Sequence, residues 1–115
     1  MTITMYGIPN CDTIKKAKRW LDERNVEYTF HDYRKAGVNN ALIEKFFAAL
    51  PWEQVVNKRG TTYRQLSDEQ KANLTQSSAV ELLVEHPAMI KRPILLVDNT
   101  FYLGFNATQY SSLFE

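Results

Sequence analysis

Cys11 is the one thiol among the 115 residues of this chain, so an internal disulfide, a dithiol redox pair and a cysteine-based zinc site are all excluded. A lone thiol either reacts with an outside partner or serves as a small buried hydrophobe. Reaction requires the thiolate, which forms readily at a helix N-terminus, where unpaired N–H groups and the positive end of the helix dipole face the sulfur. Asp12 opposes a second negative charge so close by. The cations that could outweigh it are Lys15, one turn along, and Arg59 and Arg92 if the fold brings their loops to the same edge. Periodicity alone does not place either arginine there.

The elements around Cys11 follow from local pattern. Residues 2–6 alternate, and Gly7-Ile8-Pro9-Asn10 punctuates a turn, which predicts a short strand and a tight loop just before Cys11. From Asp12 onward Ile14, Ala17 and Leu21 share one helical face, and Asn25 closes an amphipathic helix of about three turns. Residues 26–33 alternate with Tyr28 and Phe30 on one side and Thr29 and His31 on the other, predicting a second strand. Asn39 or Asn40 caps a helix carrying Leu42, Ile43, Phe46, Phe47 and Leu50, which Pro51 stops.

Residues 55–62 lack period and read as a polar loop, a candidate ligand rim. Capping-box patterns at Ser67-Asp68-Glu69-Gln70 and Ser78-Ala79-Val80-Glu81 predict helix starts at Ser67 and Ser78, the second helix carrying Val80, Leu83 and Val84 and ending near His86 ahead of Pro87. Pro93 opens the apolar strand Ile94-Leu95-Leu96-Val97, and Asp98-Asn99 turns it into Phe101-Tyr102-Leu103. Asn106 and Gln109 mark a last helix with Tyr110, Leu113 and Phe114 on its apolar face. The order is that of the thioredoxin plan: an α/β fold with a four-stranded mixed sheet, flanking helices and an inserted helical region at about 39–90, all within one domain, 1–115.

Composition narrows the function classes. Fourteen Lys plus Arg against thirteen Asp plus Glu leave a net charge of +1, too little to attract nucleic acid or an anionic membrane by a global field. The cluster Lys15, Lys16, Lys18 and Arg19 reads as a solvated helix face balanced by Asp22 and Glu23. His31 and His86 lack metal-ligand spacing, and Trp20, Trp52, Phe46 and Phe47 read as packing residues. Tyr6, next to the cysteine loop, suits either the site or the core. No apolar run approaches a membrane span and no targeting segment opens the chain, so the reducing cytoplasm is expected, and one modest domain without an apolar stripe to spare is expected to be a monomer.

The sequence resembles the ArsC and Spx family along essentially its whole length. The resemblance rests on Tyr6-Gly7-Ile8-Pro9-Asn10-Cys11-Asp12-Thr13, Asn57-Lys58-Arg59-Gly60-Thr61-Thr62-Tyr63, Lys91-Arg92-Pro93-Ile94 and Leu103-Gly104-Phe105-Asn106, and these segments look most like its YffB branch. It implies that Cys11 is the catalytic nucleophile and that Arg92 holds an anionic group or stabilises the thiolate. It further implies that Pro93 follows a cis peptide bond and presents backbone beside the thiol. Asn10, Thr13, Lys15 and Arg59 join Pro93 as the implied substrate-binding set.

The departures from the family pattern are equally specific. Arsenate reductases of the family carry a histidine where this chain has Gly7, and two arginines of their oxyanion site align with Asn57 and Phe105. Arg59 lies two residues from the first of these positions. Each lost charge-assisted bond is worth about 1.5–3 kcal/mol, which argues against arsenate as a good substrate. Spx proteins use a Cys-x-x-Cys switch, and the fourth position here is Ile14. What remains is an ArsC-like monothiol reductase with glutathione as reductant and no metal, acting on a small disulfide or oxyanion, the glutathione carboxylates pairing with Arg92, Arg59 or Lys15. The alternatives are an arsenate reductase and a non-enzymatic Spx-like regulator that contacts RNA polymerase.

Overall fold

The computed structural model describes residues 1–115. Its elements run β1 (Ile3–Gly7), α1 (Asp12–Glu23), β2 (Thr29–Asp32), α2 (Asn40–Ala49), α3 (Trp52–Val55), α4 (Thr61–Arg64), α5 (Asp68–Ala72), α6 (Gln76–Glu85), a 3-10 turn at Pro87–Met89, β3 (Ile94–Val97), β4 (Thr100–Leu103) and α7 (Ala107–Phe114). The chain divides into two compact units. One comprises Met1–Ala36 with Arg92–Glu115, and the other Gly37–Lys91.

The first unit holds a four-stranded mixed sheet in the order β2-β1-β3-β4. β1 and β2 are parallel, with Gly7 opposite Asp32, whereas β1 with β3 and β3 with β4 are antiparallel. A parallel pair needs a crossover, and α1 supplies it. The β3–β4 hairpin turns through Asp98, whose φ of 55° lies in the left-handed region that Asp tolerates. Because strand side chains alternate, Ile3 and Met5 share one sheet face with their partners Val97 and Leu95. That face, with Ile14, Ala17, Trp20 and Leu21 of α1 and Tyr110 of α7, forms a buried core. The face expected from Ile14, Ala17 and Leu21 is thus the one buried, and fully burying a side chain such as Leu21 contributes about 1.5–3 kcal/mol. Asn106 caps α7 as its spacing predicts, accepting from Gln109 N at 3.1 Å.

The second unit is helical. Asn39 caps α2, accepting from Leu42 N at 2.9 Å, and α2, α3 and α6 pack on one another. Ser67 forms the expected capping box with Gln70. The other expected start is corrected: α6 begins at Gln76, and the box joins Thr75 to Ser78. Both residues can cap, and the earlier one wins because Ser78 then answers reciprocally, its hydroxyl accepting from Thr75 N at 2.8 Å. Ala79, Leu82 and Leu83 are buried on α6, while Val80 and Val84 are half-buried.

The reading of residues 55–62 as one polar loop is also corrected. Val55 and Val56 are buried, Val56 bridges Ile90, and residues from Thr61 are helical. Short-range period cannot reveal a single antiparallel bridge to a distant segment. No helix is long and apolar enough to cross a membrane.

Candidate functional site

β1 ends at Gly7, residues 9–10 form an exposed turn, and Cys11 occupies the N-cap of α1 with extended backbone, φ −104° and ψ 133°. Its carbonyl accepts the first helical bond, from Lys15 N at 3.0 Å. The side chain is partly buried against the core cluster, so Cys11 packs as a hydrophobe and still meets solvent.

Cys11 makes no side-chain bond of capping geometry, yet the groups around Sγ favour its ionised form. Burial pushes the thiol up, but the Ile14 N–H, the Arg92 side chain and the Thr13 N–H act as donors to the sulfur, and the Arg92 charge adds to them. Together they outweigh burial and hold the thiol below its ordinary value. Neither Asp12 nor Lys15 is among these influences. The cations expected from sequence therefore reduce to Arg92 within this unit, because helix N–H donors and one directed guanidinium do more than an exposed lysine one turn away.

Arg92 is brought to Cys11 by the sheet. It lies two residues before the start of β3, which pairs with β1 so that Ile94 lies opposite Tyr6. The Arg92–Pro93 peptide is cis, as the resemblance implied. Pro93 is buried and its carbonyl accepts from Gly104 N at 2.8 Å.

Gly7 matters for the same packing. A β-carbon there would collide with Cδ1 of the fully buried Ile14 and would sit 3.7 Å from Arg92 Cβ. The end of β1 is thus closed to a histidine unless Ile14 moves. Phe105 packs edge-on against Tyr110 at 4.9 Å between ring centroids.

The remaining expected residues are distributed as follows. Asn10 is exposed in the turn, Thr13 is half-buried and lends its N–H, and Lys15 is exposed. Arg59 belongs to the second unit, in the turn after α3, where its N–H donates to Asn57 Oδ1 at 3.2 Å. There it lines a surface cavity of about 330 Å³ with Glu53, Lys58 and Lys91 among others. One member of the supposedly solvated basic face is corrected: Lys18 Nζ sits 3.6 Å from the centre of the Phe30 ring, a cation–π contact that covers exposed aromatic surface on β2.

Sequence reasoning missed Tyr33. Its N–H donates to Gly7 O at 3.0 Å, extending the β1–β2 pairing by one residue, and its side chain is 2% exposed. Parallel strands deliver their C-terminal ends to the same sheet edge, so the residue after β2 was a candidate once β1 and β2 were paired.

The model of the ArsC family matches residues 6–113 of this chain. An uncharacterised protein of Haemophilus influenzae is 43% identical over 112 residues, which is 97% of this chain and 98% of that protein. The global transcriptional regulator Spx of Streptococcus agalactiae is 27% identical over 106 residues, covering 90% of this chain and 77% of the regulator. Among solved structures, a YffB protein superposes with a TM-score of 0.95 at 41% identity and covers 99% of this chain and 100% of its own.

Proposed function

Because this chain belongs to the ArsC family, we propose that it is a monothiol reductase in which Cys11 exchanges with glutathione-linked disulfides. The observation that carries this reading is the thiol at the N-cap of α1, lowered in pKa by two helix N–H groups and by Arg92. A solitary cysteine of this kind has no resolving partner in its own chain, so the reductant must bring the second thiol.

The exchange balances with glutathione in both roles. The Cys11 thiolate attacks the glutathione sulfur of a mixed disulfide, the old S–S bond breaks, and the released thiolate takes a proton from solvent. A second glutathione thiolate then attacks the same glutathione sulfur, forming glutathione disulfide and returning Cys11 as thiolate. Arg92 favours the anionic sulfur at the start of the first step and at the end of the second. Lys15, Asn10, Thr13 and Pro93 remain the proposed contacts for the glutathione and substrate backbones and carboxylates in the unit that holds Cys11, in a reducing compartment; Arg59 is retained as a proposed anion-binding residue of the other unit.

Mass spectrometry after exposure to oxidised glutathione tests the first half, and release of the adduct by reduced glutathione tests the second. One adduct per chain, absent in Cys11→Ser and cleared by glutathione, is expected. A thiol that stays free, or an adduct that glutathione cannot remove, would end the reductase reading.

The likeness to Spx favours one second reading, a regulator in which the thiol is incidental. Under that reading Cys11→Ser would leave partner binding intact. Arsenate reduction is disfavoured by Gly7, Asn57 and Phe105, and arsenate-dependent oxidation of glutathione by the protein would restore it.

A further inference from the structure

We infer that Tyr33 is a positioning residue for Arg92, its buried hydroxyl being the acceptor that receives the guanidinium once the Cys11 sulfur is capped. This rests on the reductase reading and extends it to the intermediate. Two phenols of the chain, Tyr33 and Tyr110, have buried hydroxyl groups that make no hydrogen bond. Their surroundings differ. Tyr110 lies among Trp20, Phe105 and Phe114, and burial alone acts on its phenol. Tyr33 is held at the end of β1 by its bond to Gly7 O, and a β-carbon on Gly7 would lie 3.7 Å from Arg92 Cβ, so the two side chains start from adjacent points of one sheet edge. The Arg92 charge reaches the Tyr33 phenol and works against the effects of burial and of Tyr6, which raise its ionisation beyond the ordinary range.

A buried hydroxyl without a partner is costly, and phenylalanine would fill the same space without that cost. The hydroxyl gains a use when Cys11 reacts. In the thiolate form Arg92 donates to Sγ. In a disulfide the sulfur is neutral and a poor acceptor, so the charge-assisted bond weakens sharply. The Tyr33 oxygen accepts hydrogen bonds and feels the charge of the same arginine, so a guanidinium turned toward it satisfies both groups in the capped state.

The test uses methyl methanethiosulfonate, which transfers a methylthio group to a thiolate and releases methanesulfinate. Cys11 is the only cysteine, so the product is homogeneous. The reading is the fall in Tm on capping, compared among wild type, Y33F, R92A and R92A/Y33F. The free-thiol form of Y33F, relieved of an unpartnered buried hydroxyl, should be at least as stable as wild type, with an unchanged pH profile of Cys11 alkylation. Capping should lower the Tm of Y33F by about 3–6 °C more than that of wild type, and the difference should vanish between R92A and R92A/Y33F. An equal capping cost in wild type and Y33F, or an extra cost that persists without Arg92, would overturn the inference. Because the reagent is not glutathione, a protein that fails to exchange with glutathione disulfide would sink the reductase reading and leave this comparison readable.

Discussion

The reactivity of Cys11 comes down to a contest between burial, which favours the neutral thiol, and donors that favour the thiolate. Arg92 is the only charged side chain among those donors. Arg92→Ala should therefore move the pKa of alkylation upward and slow iodoacetamide modification several-fold at neutral pH, while Lys15→Ala leaves the pH profile in place. Alkylation rates across pH in the three proteins check both statements. An unchanged profile in Arg92→Ala would assign the activation to the helix N–H groups alone. Arg92→Lys should recover only part of the effect, since a lysine keeps the charge and loses the planar fork of donors.

Two features of the elements set this geometry. The end of β1 has no room for a β-carbon at residue 7 while Ile14 of α1, itself fully buried, keeps its rotamer. Gly7→Ala should destabilise the protein by about 1–3 kcal/mol through overpacking, measurable by denaturant unfolding. Equal stability would mean that Ile14 finds another rotamer without cost. In the helical unit the reciprocal boxes identify the helix starts. Removing the capping oxygen in Ser67→Ala or Thr75→Ala should cost about 1 kcal/mol each, with α6 losing more helicity in the second. Had α6 begun at Ser78, Thr75→Ala would be nearly silent.

For the whole molecule, the two kinds of perturbed group give stability a defined pH dependence. The Cys11 value is lowered on folding, so between the native value and the ordinary one the unfolded chain holds more protons and stability rises with pH. This contribution is complete above the ordinary thiol value of 9.0 and is lost as pH falls through the native value. The buried phenols have the opposite sign. Tyr33 and Tyr110 are raised above 10.0, chiefly by burial, so their contribution holds below that value and is lost at higher pH. Denaturant unfolding of wild type and Cys11→Ser should show a gap that widens as pH rises through the lowered native value toward the ordinary value of 9.0. A constant gap would mean that the thiol is not perturbed by folding.

The sequence by itself determined what depends on near neighbours. Strand alternation and the turn at Gly7 to Asn10 put Cys11 at a strand-to-helix junction; Ile14, Ala17 and Leu21 marked the buried face of α1; Ser67 and Asn106 announced helix starts that the structure contains. These features arise from backbone period and from hydrogen bonds spanning three or four residues, so a short window contains all their causes. Tertiary structure alone decided what depends on register between distant segments. It set Arg92 on Cys11, tied Tyr33 to the end of β1, bridged Val56 to Ile90 and laid Lys18 over Phe30. The choice of Thr75 over Ser78 as cap shows that even a local signal can be ambiguous when two acceptors stand three residues apart. Each of these outcomes rests on which strand or helix lies alongside which, and sheet pairing is set by long-range burial that no spacing within one segment records.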